Sequence, residues 1–248
     1  MSHRQPGEFT DRSAYRRRME PSGLAAFVVR AGESDLHISA SRELPGLAGR
    51  ELESVRAALE GYIRSNPKFR TTLEPWPEDP AAPQIVREMI AAGATAGVGP
   101  MAAVAGAVAA AVGRRLLGQC REVIVENGGD IFIAGREERI AAIFAGDSPL
   151  SMKLGLKLPP APAGCGLATS SGTVGPSLSF GKADAAVAFA ADAALADAAA
   201  TAIGNRVKRP EDLAAAMEFA EGIPGLAGAL AVIGENLAAW GEMELVEL

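Results

Sequence analysis

Three short segments of this chain concentrate residue types able to do chemistry. In Glu126-Asn127-Gly128-Gly129-Asp130, two carboxylates flank an amide and a pair of glycines. Asn-Gly between alternating apolar runs is the strongest short-range signal for a tight hairpin turn. Paired glycines also let a flat or phosphorylated ligand touch backbone, with Glu126 and Asp130 at the rim to take its polar groups. Both readings are open on these residues alone. Thr169-Ser170-Ser171-Gly172-Thr173, with Gly175 close behind, sets hydroxyls beside glycine at a strand end. Such a loop can donate O–H and N–H groups to a phosphate, or to water. The third segment is Leu195–Ala202, where Asp197 and Thr201 stand at i, i+4 and share one face of a helix. An Asp there can serve a helix end. A carboxylate and a hydroxyl in line also suit Mg²⁺, which takes few carboxylates and completes its shell with carbonyls, waters and substrate phosphates.

Other chemistries find little support. The two histidines, His3 and His37, have no triad context, so a Ser-His-Asp hydrolase is not expected. Cys120 and Cys165 lack metal-site or redox spacing and read as small core residues. The net charge of -6 disfavours nucleic acid as the main partner. Arg12, Arg16, Arg17 and Arg18 form one local basic patch, read as a solvated edge or an anion-steering element. The apolar stretch 91–112 nears membrane-span length but is broken by Pro100 and its neighbouring glycines. No secretory signal is read at the amino terminus, and a soluble cytoplasmic protein is expected.

The elements that must position these segments follow from periodicity. Leu24–Arg30 and Asp35–Ala40 read as a hairpin with a four-residue loop, and Tyr15–Met19 before it as part of a small antiparallel sheet. Leu52, Val55, Leu59 and Ile63 mark an amphipathic helix from Leu47 to Ser65. Lys68–Pro83, rich in Pro, reads as a surface loop. Gln84–Ala92 and Pro100–Leu117 read as helices separated by a Gly93–Gly99 break. After Gly118 the period becomes two: strands are expected at Val123–Val125, Ile131–Ile133, Arg139–Phe144, Met152–Leu158, Leu167–Thr169 and Asp184–Ala190. Helices follow at Leu195–Ile203 and Asp212–Ala220, and Ala229–Ile233 with Ala239–Val246 reads as a closing hairpin. The class is α+β, mostly antiparallel sheet with packed Ala-rich helices, in one domain over residues 1–248 whose first 14 form a flexible polar terminus. Alanine fills about a fifth of the chain and concentrates at 91–111 and 183–202, where small side chains permit close helix packing.

Taken in order, an Ala/Gly-rich helix, N-G-G-D, T-S-S-G and D-A-A-A-T resemble the ApbE-like superfamily of FAD:protein FMN transferases. The similarity is closer to its shorter, uncharacterised bacterial and archaeal branch. It runs through Gly97–Ala102, Val125–Ile131, Ser170–Gly175, Ser177–Asp184 and Ala196–Asn205, covering about residues 15–245 for the branch and 90–206 for the transferases. The resemblance implies an ApbE-like α+β fold with a flavin or nucleotide cleft. It implies Asp197 and Thr201 as Mg²⁺ ligands against the FAD pyrophosphate. Glu126, Asn127, Gly128, Gly129, Asp130, Thr169, Ser170, Ser171, Gly172, Thr173 and Lys182 would then lie along the cofactor. A transferase would act on an acceptor protein, and a homodimer is compatible with the family. The chain departs from the transferases at Gly99–Val104, where their Lys and Asp are missing, and in the link Gly175–Asp184, which has no His. Those losses favour an alternative, a non-catalytic ligand-binding or partner protein on the same fold. Relatives in the branch are linked to sulfide assimilation into homocysteine, although no residue here points to sulfur chemistry.

Overall fold

A computed structural model describes residues 23–172 and 180–248. Thr173, Gly175, the Tyr15–Met19 segment and the Arg12–Arg18 patch lie outside the described residues. The chain runs through β1 (Ala25–Ala31), β2 (Ser34–Ala40), α1 (Pro45–Ser65), a 3-10 turn at Pro67–Arg70 and α2 (Gln84–Ala96). A second 3-10 turn, Pro100–Ala103, leads into α3 (Val104–Leu117), followed by β3 (Val123–Asn127), β4 (Asp130–Gly135), β5 (Arg139–Ala142), β6 (Leu154–Leu158) and β7 (Ala161–Ser170). The remainder is β8 (Ala185–Ala190), α4 (Ala193–Gly204), α5 (Leu213–Glu221), β9 (Leu226–Ile233), β10 (Asn236–Gly241) and β11 (Glu244–Glu247).

Eight strands make one antiparallel sheet in the order β1-β2-β3-β4-β7-β8-β9-β10, and β11-β6-β5 make a second, smaller one. The period-two alternation of the central strands sorts side chains between two cores. In β8, Ala186, Ala188 and Ala190 face the helices, while Ala185, Val187 and Phe189 face the small sheet with Leu156, Leu158 and Leu230. The large sheet is thus the middle of three layers, and its central strands read as continuous apolar runs because both faces are covered. This is the expected α+β class, and it is the fold in which the Ala-rich segments do their work. Helix α4 is buried along nearly its whole length, from Ala193 to Gly204. Ala is the strongest helix former, and Asp192 caps the start by accepting from the Ala194 N–H at 2.8 Å. The apolar run Pro100–Leu117, long enough by composition to cross a membrane, packs here against α1, α4, β3 and β4.

Several expectations change. The first hairpin has a two-residue turn, not a four-residue loop: Ala31 pairs with Ser34, and Gly32 takes φ +54° at the first turn position. That hairpin is the edge of the large sheet, not a separate small one. α2 continues through Gly93 and stops only at Gly97, whose φ of +71° ends the helix. The closing hairpin pairs β9 with β10, and the chain then leaves at Gly241 so that β11 joins β6 in the other sheet. Lys68–Pro83 is anchored, since Phe69 is fully buried between the rings of Tyr62 and Trp76.

Candidate functional site

The N-G-G-D segment is a hairpin turn. Asn127 pairs with Asp130 across it, and Gly128 and Gly129 take φ of +70° and +116°, both in the region that disfavours other residues. Two polar side chains of the turn have local tasks. Glu126 Oε1 accepts from the Gly129 N–H at 3.2 Å, and Asn127 Nδ2 donates to the Ala105 carbonyl at 3.1 Å. The turn is thereby fastened to the beginning of α3.

Helix α3 begins without a cap of its own, because its N-cap residue is Ala103. Asp197, from the middle of α4, supplies the missing acceptor: its Oδ2 takes the Gly106 N–H at 2.9 Å, and the Ala105 N–H also bonds to the carboxylate. Gly106 makes this approach possible, since a Cβ there would sit 2.1 Å from the Ala193 carbonyl oxygen. The carboxylate is buried, and that burial raises its pKa to about 7 against the pull of the two backbone donors.

Asp130 lies beside it. Burial lifts its pKa well above the carboxylate range, the charge of Asp197 adds to the rise, Glu126 contributes further, and the Thr169 N–H opposes it. Asp130 Oδ1 is buried without a hydrogen-bond partner among the described residues. An orphaned oxygen on a carboxyl that feels a second buried carboxylate is costly unless something positive meets it. Among the described residues no group of three or more His, Cys, Asp or Glu gathers as a metal cage. Two carboxylates match instead the sparse protein ligation of Mg²⁺, which leaves positions for substrate oxygens.

Asn127, Gly129, Asp130, Thr169 and Asp197 therefore converge. Thr201 lies one turn beyond Asp197 on α4, about 6 Å along the axis. Ser170 and Gly172 sit at the other end of that helix: a Cβ added at Gly204 would meet Ser170 Oγ at 3.7 Å, and the Gly172 N–H donates to the Ala183 carbonyl at 2.9 Å. Ser171 joins them by sequence, and the Lys182 N–H bonds to the Val207 carbonyl at 2.7 Å. The two groups are separated along α4 by seven residues, about 10 Å.

One feature escaped the sequence reading. A cavity of about 520 Å³ lies between the β1–β2 turn, the second half of α1 and the start of α3. Its lining includes Arg56, Arg64 and Arg70, and it touches the expected site residues only at Asn127. The available signal was the spacing of Arg56, Glu60 and Arg64 along α1, which reads on its own as an exposed charged stripe.

The fold, a large antiparallel sheet between helices and a smaller sheet, is that of solved ApbE flavin transferases. The chain superposes on the Pseudomonas stutzeri flavinyl transferase ApbE with a TM-score of 0.58 at 14% identity, covering 88% of this chain and 93% of that one. The flavin transferase ApbE from Vibrio cholerae gives 0.55 at 12% identity, covering 89% and 97%. At such identities the likeness is one of fold. The family itself comes from sequence: the family model described as AbpE bacteria matches residues 16–224, and the chain belongs to that family. Its relatives include the UPF0280 protein of Methanocella arvoryzae, 46% identical over 190 residues, covering 76% of this chain and 77% of the relative. A UPF0280 protein of Methanosarcina barkeri is 44% identical over 218 residues, covering 87% and 83%.

Proposed function

We propose that this protein binds a flavin nucleotide, FAD in the first instance, together with one Mg²⁺ ion, and that it works in the cytoplasm. The observation that carries the reading is the unpartnered Asp130 Oδ1, on a buried carboxyl that feels the charge of Asp197 beside the Gly128-Gly129 turn. Asp130 and Asp197 would hold a divalent cation, whose charge would relieve their repulsion and satisfy the orphaned oxygen. Thr201 adds a hydroxyl. Gly128 and Gly129 leave backbone open to the ligand, and Ser170, Ser171, Gly172 and Lys182 stand further along α4 for its remainder. When bound, the ion supplies positive charge against the pyrophosphate, lowering the barrier to breaking it. The likeness in fold to flavin transferases supports FMN transfer to an acceptor protein as the reaction of this site.

A second reading, binding without transfer, rests on a specific observation. The 3-10 turn Pro100–Ala103 and the first residue of α3 carry no acid or base, so nothing from that segment handles a proton. Titration calorimetry with FAD, with and without Mg²⁺, tests the shared part of both readings: affinity should appear with Mg²⁺ and fall at least about tenfold in EDTA. Equal affinity in the two buffers, or none in either, contradicts it. Incubation with FAD and a candidate acceptor peptide then separates the readings, because covalent flavin fluorescence on the peptide marks the transferase.

A further inference from the structure

We propose that the cavity beneath the β1–β2 turn is a binding site for a phosphate monoester on a flat, ring-sized body, recognised by Arg56 and Arg64. The inference does not depend on the Mg²⁺ site, because none of the carboxylates that would hold the ion lines the cavity. At about 520 Å³ the space falls within the range of small-molecule pockets. Its floor is apolar, made by Leu59 and Ile63 of α1 with Met101, Val104 and Val108 from the opposite wall, and suits a planar ring. Its rim is charged, with Arg56, Arg64 and Arg70 against Glu33 and Glu60, a balance of one positive charge.

Arg56 is set in place before any ligand arrives. The turn presses on it at Gly32, where a Cβ would fall 2.3 Å from the guanidinium. One terminal nitrogen donates to Ser34 Oγ at 2.9 Å and the other to Glu60 Oε1 at 2.8 Å, and only 20% of the side chain is exposed. A guanidinium has five N–H donors in a rigid fork, so donors remain for an oxyanion and little side-chain entropy is lost when it binds. Arg64, eight residues further along α1, has no carboxylate within ion-pair distance among the described residues. Arg70 approaches Glu33 only to 3.9 Å, with both side chains largely exposed, which is a weak tie. The start of α3 also lines the cavity, but the N–H groups of Ala105 and Gly106 are already given to Asp197. The anion is therefore read by arginine side chains and not by the helix terminus.

The test uses the full-length protein in EDTA, so that the outcome is independent of any cation at Asp130 and Asp197. FMN and riboflavin share the ring and differ by the phosphate. FMN should bind at least about tenfold more tightly than riboflavin. Arg64→Gln, at an exposed position, should reduce FMN affinity about fivefold or more. Arg56→Lys keeps the charge and loses the fork, and should cost more than Arg64→Gln. AMP serves as a second ring-bearing monophosphate, and inorganic phosphate should compete weakly with both. Equal binding of FMN and riboflavin overturns the proposal, as does an Arg64→Gln variant that binds FMN like wild type. So does the absence of binding by both FMN and AMP at about 1 mM.

Discussion

A buried carboxylate pair and an open cavity meet at the first turn of α3 and are built on opposite principles. On one side Asp197 and Asp130 are closed in by alanines and glycines, with three backbone donors and one orphaned oxygen between them. On the other side the arginine cavity is open, amphipathic and framed by long side chains. Ala105 touches both: its N–H bonds to Asp197, its carbonyl accepts from Asn127, and it lines the cavity. The carboxylate pair stores unfavourable electrostatics that a cation would relieve. The open cavity stores positive charge that an anion would use. The contrast teaches that Asp197 has two duties, capping α3 and facing Asp130, whereas Asp130 has no structural duty that its Oδ1 performs.

Four perturbations sharpen or break that division. The largest effect is expected at the helix crossing, where Gly106→Val drives a side chain into the Ala193 carbonyl. Unfolding in denaturant should show a loss of about 3 kcal/mol or more. Asp197→Ala comes next, leaving the Gly106 and Ala105 N–H groups without their acceptor, and should cost about 2 kcal/mol while abolishing any stabilisation by Mg²⁺. A third test is pH. Asp197 titrates near 7 in the fold and near 3.8 when unfolded, so the folded state holds the proton more tightly. In EDTA, stability is then greatest below about pH 4 and declines as pH rises through 7, by up to about 4 kcal/mol for a shift of this size. Thermal melts across pH 4 to 8 read this directly, and Mg²⁺ should flatten the upper part of the curve. The smallest change belongs to Asp130→Asn. With no bond lost at Oδ1 and a buried acid removed, stability in EDTA should hold or rise by about 1 kcal/mol. A large loss there would mean that Asp130 is a structural residue after all.

Local features of the site were legible in the sequence, and long-range ones were not. Asn127-Gly128-Gly129-Asp130 reads as a turn because paired positive-φ positions demand glycine within four residues. The i, i+4 spacing of Asp197 and Thr201 likewise follows from helix geometry. That Asp197 would cap α3 could not be read, since its partner Gly106 is 91 residues away and the only local hint is an uncapped Ala103. The arginine cavity stayed hidden for the same reason. Arg56 and Glu60 form an ordinary i, i+4 pair on α1, and only the fold brings the Gly32 turn down upon them. At the last strands an apolar alternation runs unbroken from Ala239 to Val246, whereas Gly241, with φ +91°, turns the backbone into the second sheet.

The central claim, that Asp130 and Asp197 hold a cation for a flavin nucleotide, is tested most directly by FAD calorimetry in Mg²⁺ on wild type and Asp130→Asn side by side. The variant's fold is checked by its unfolding curve. The account predicts Mg²⁺-dependent FAD binding by the wild type and its loss in a variant at least as stable. FAD binding that Asp130→Asn leaves intact would contradict it.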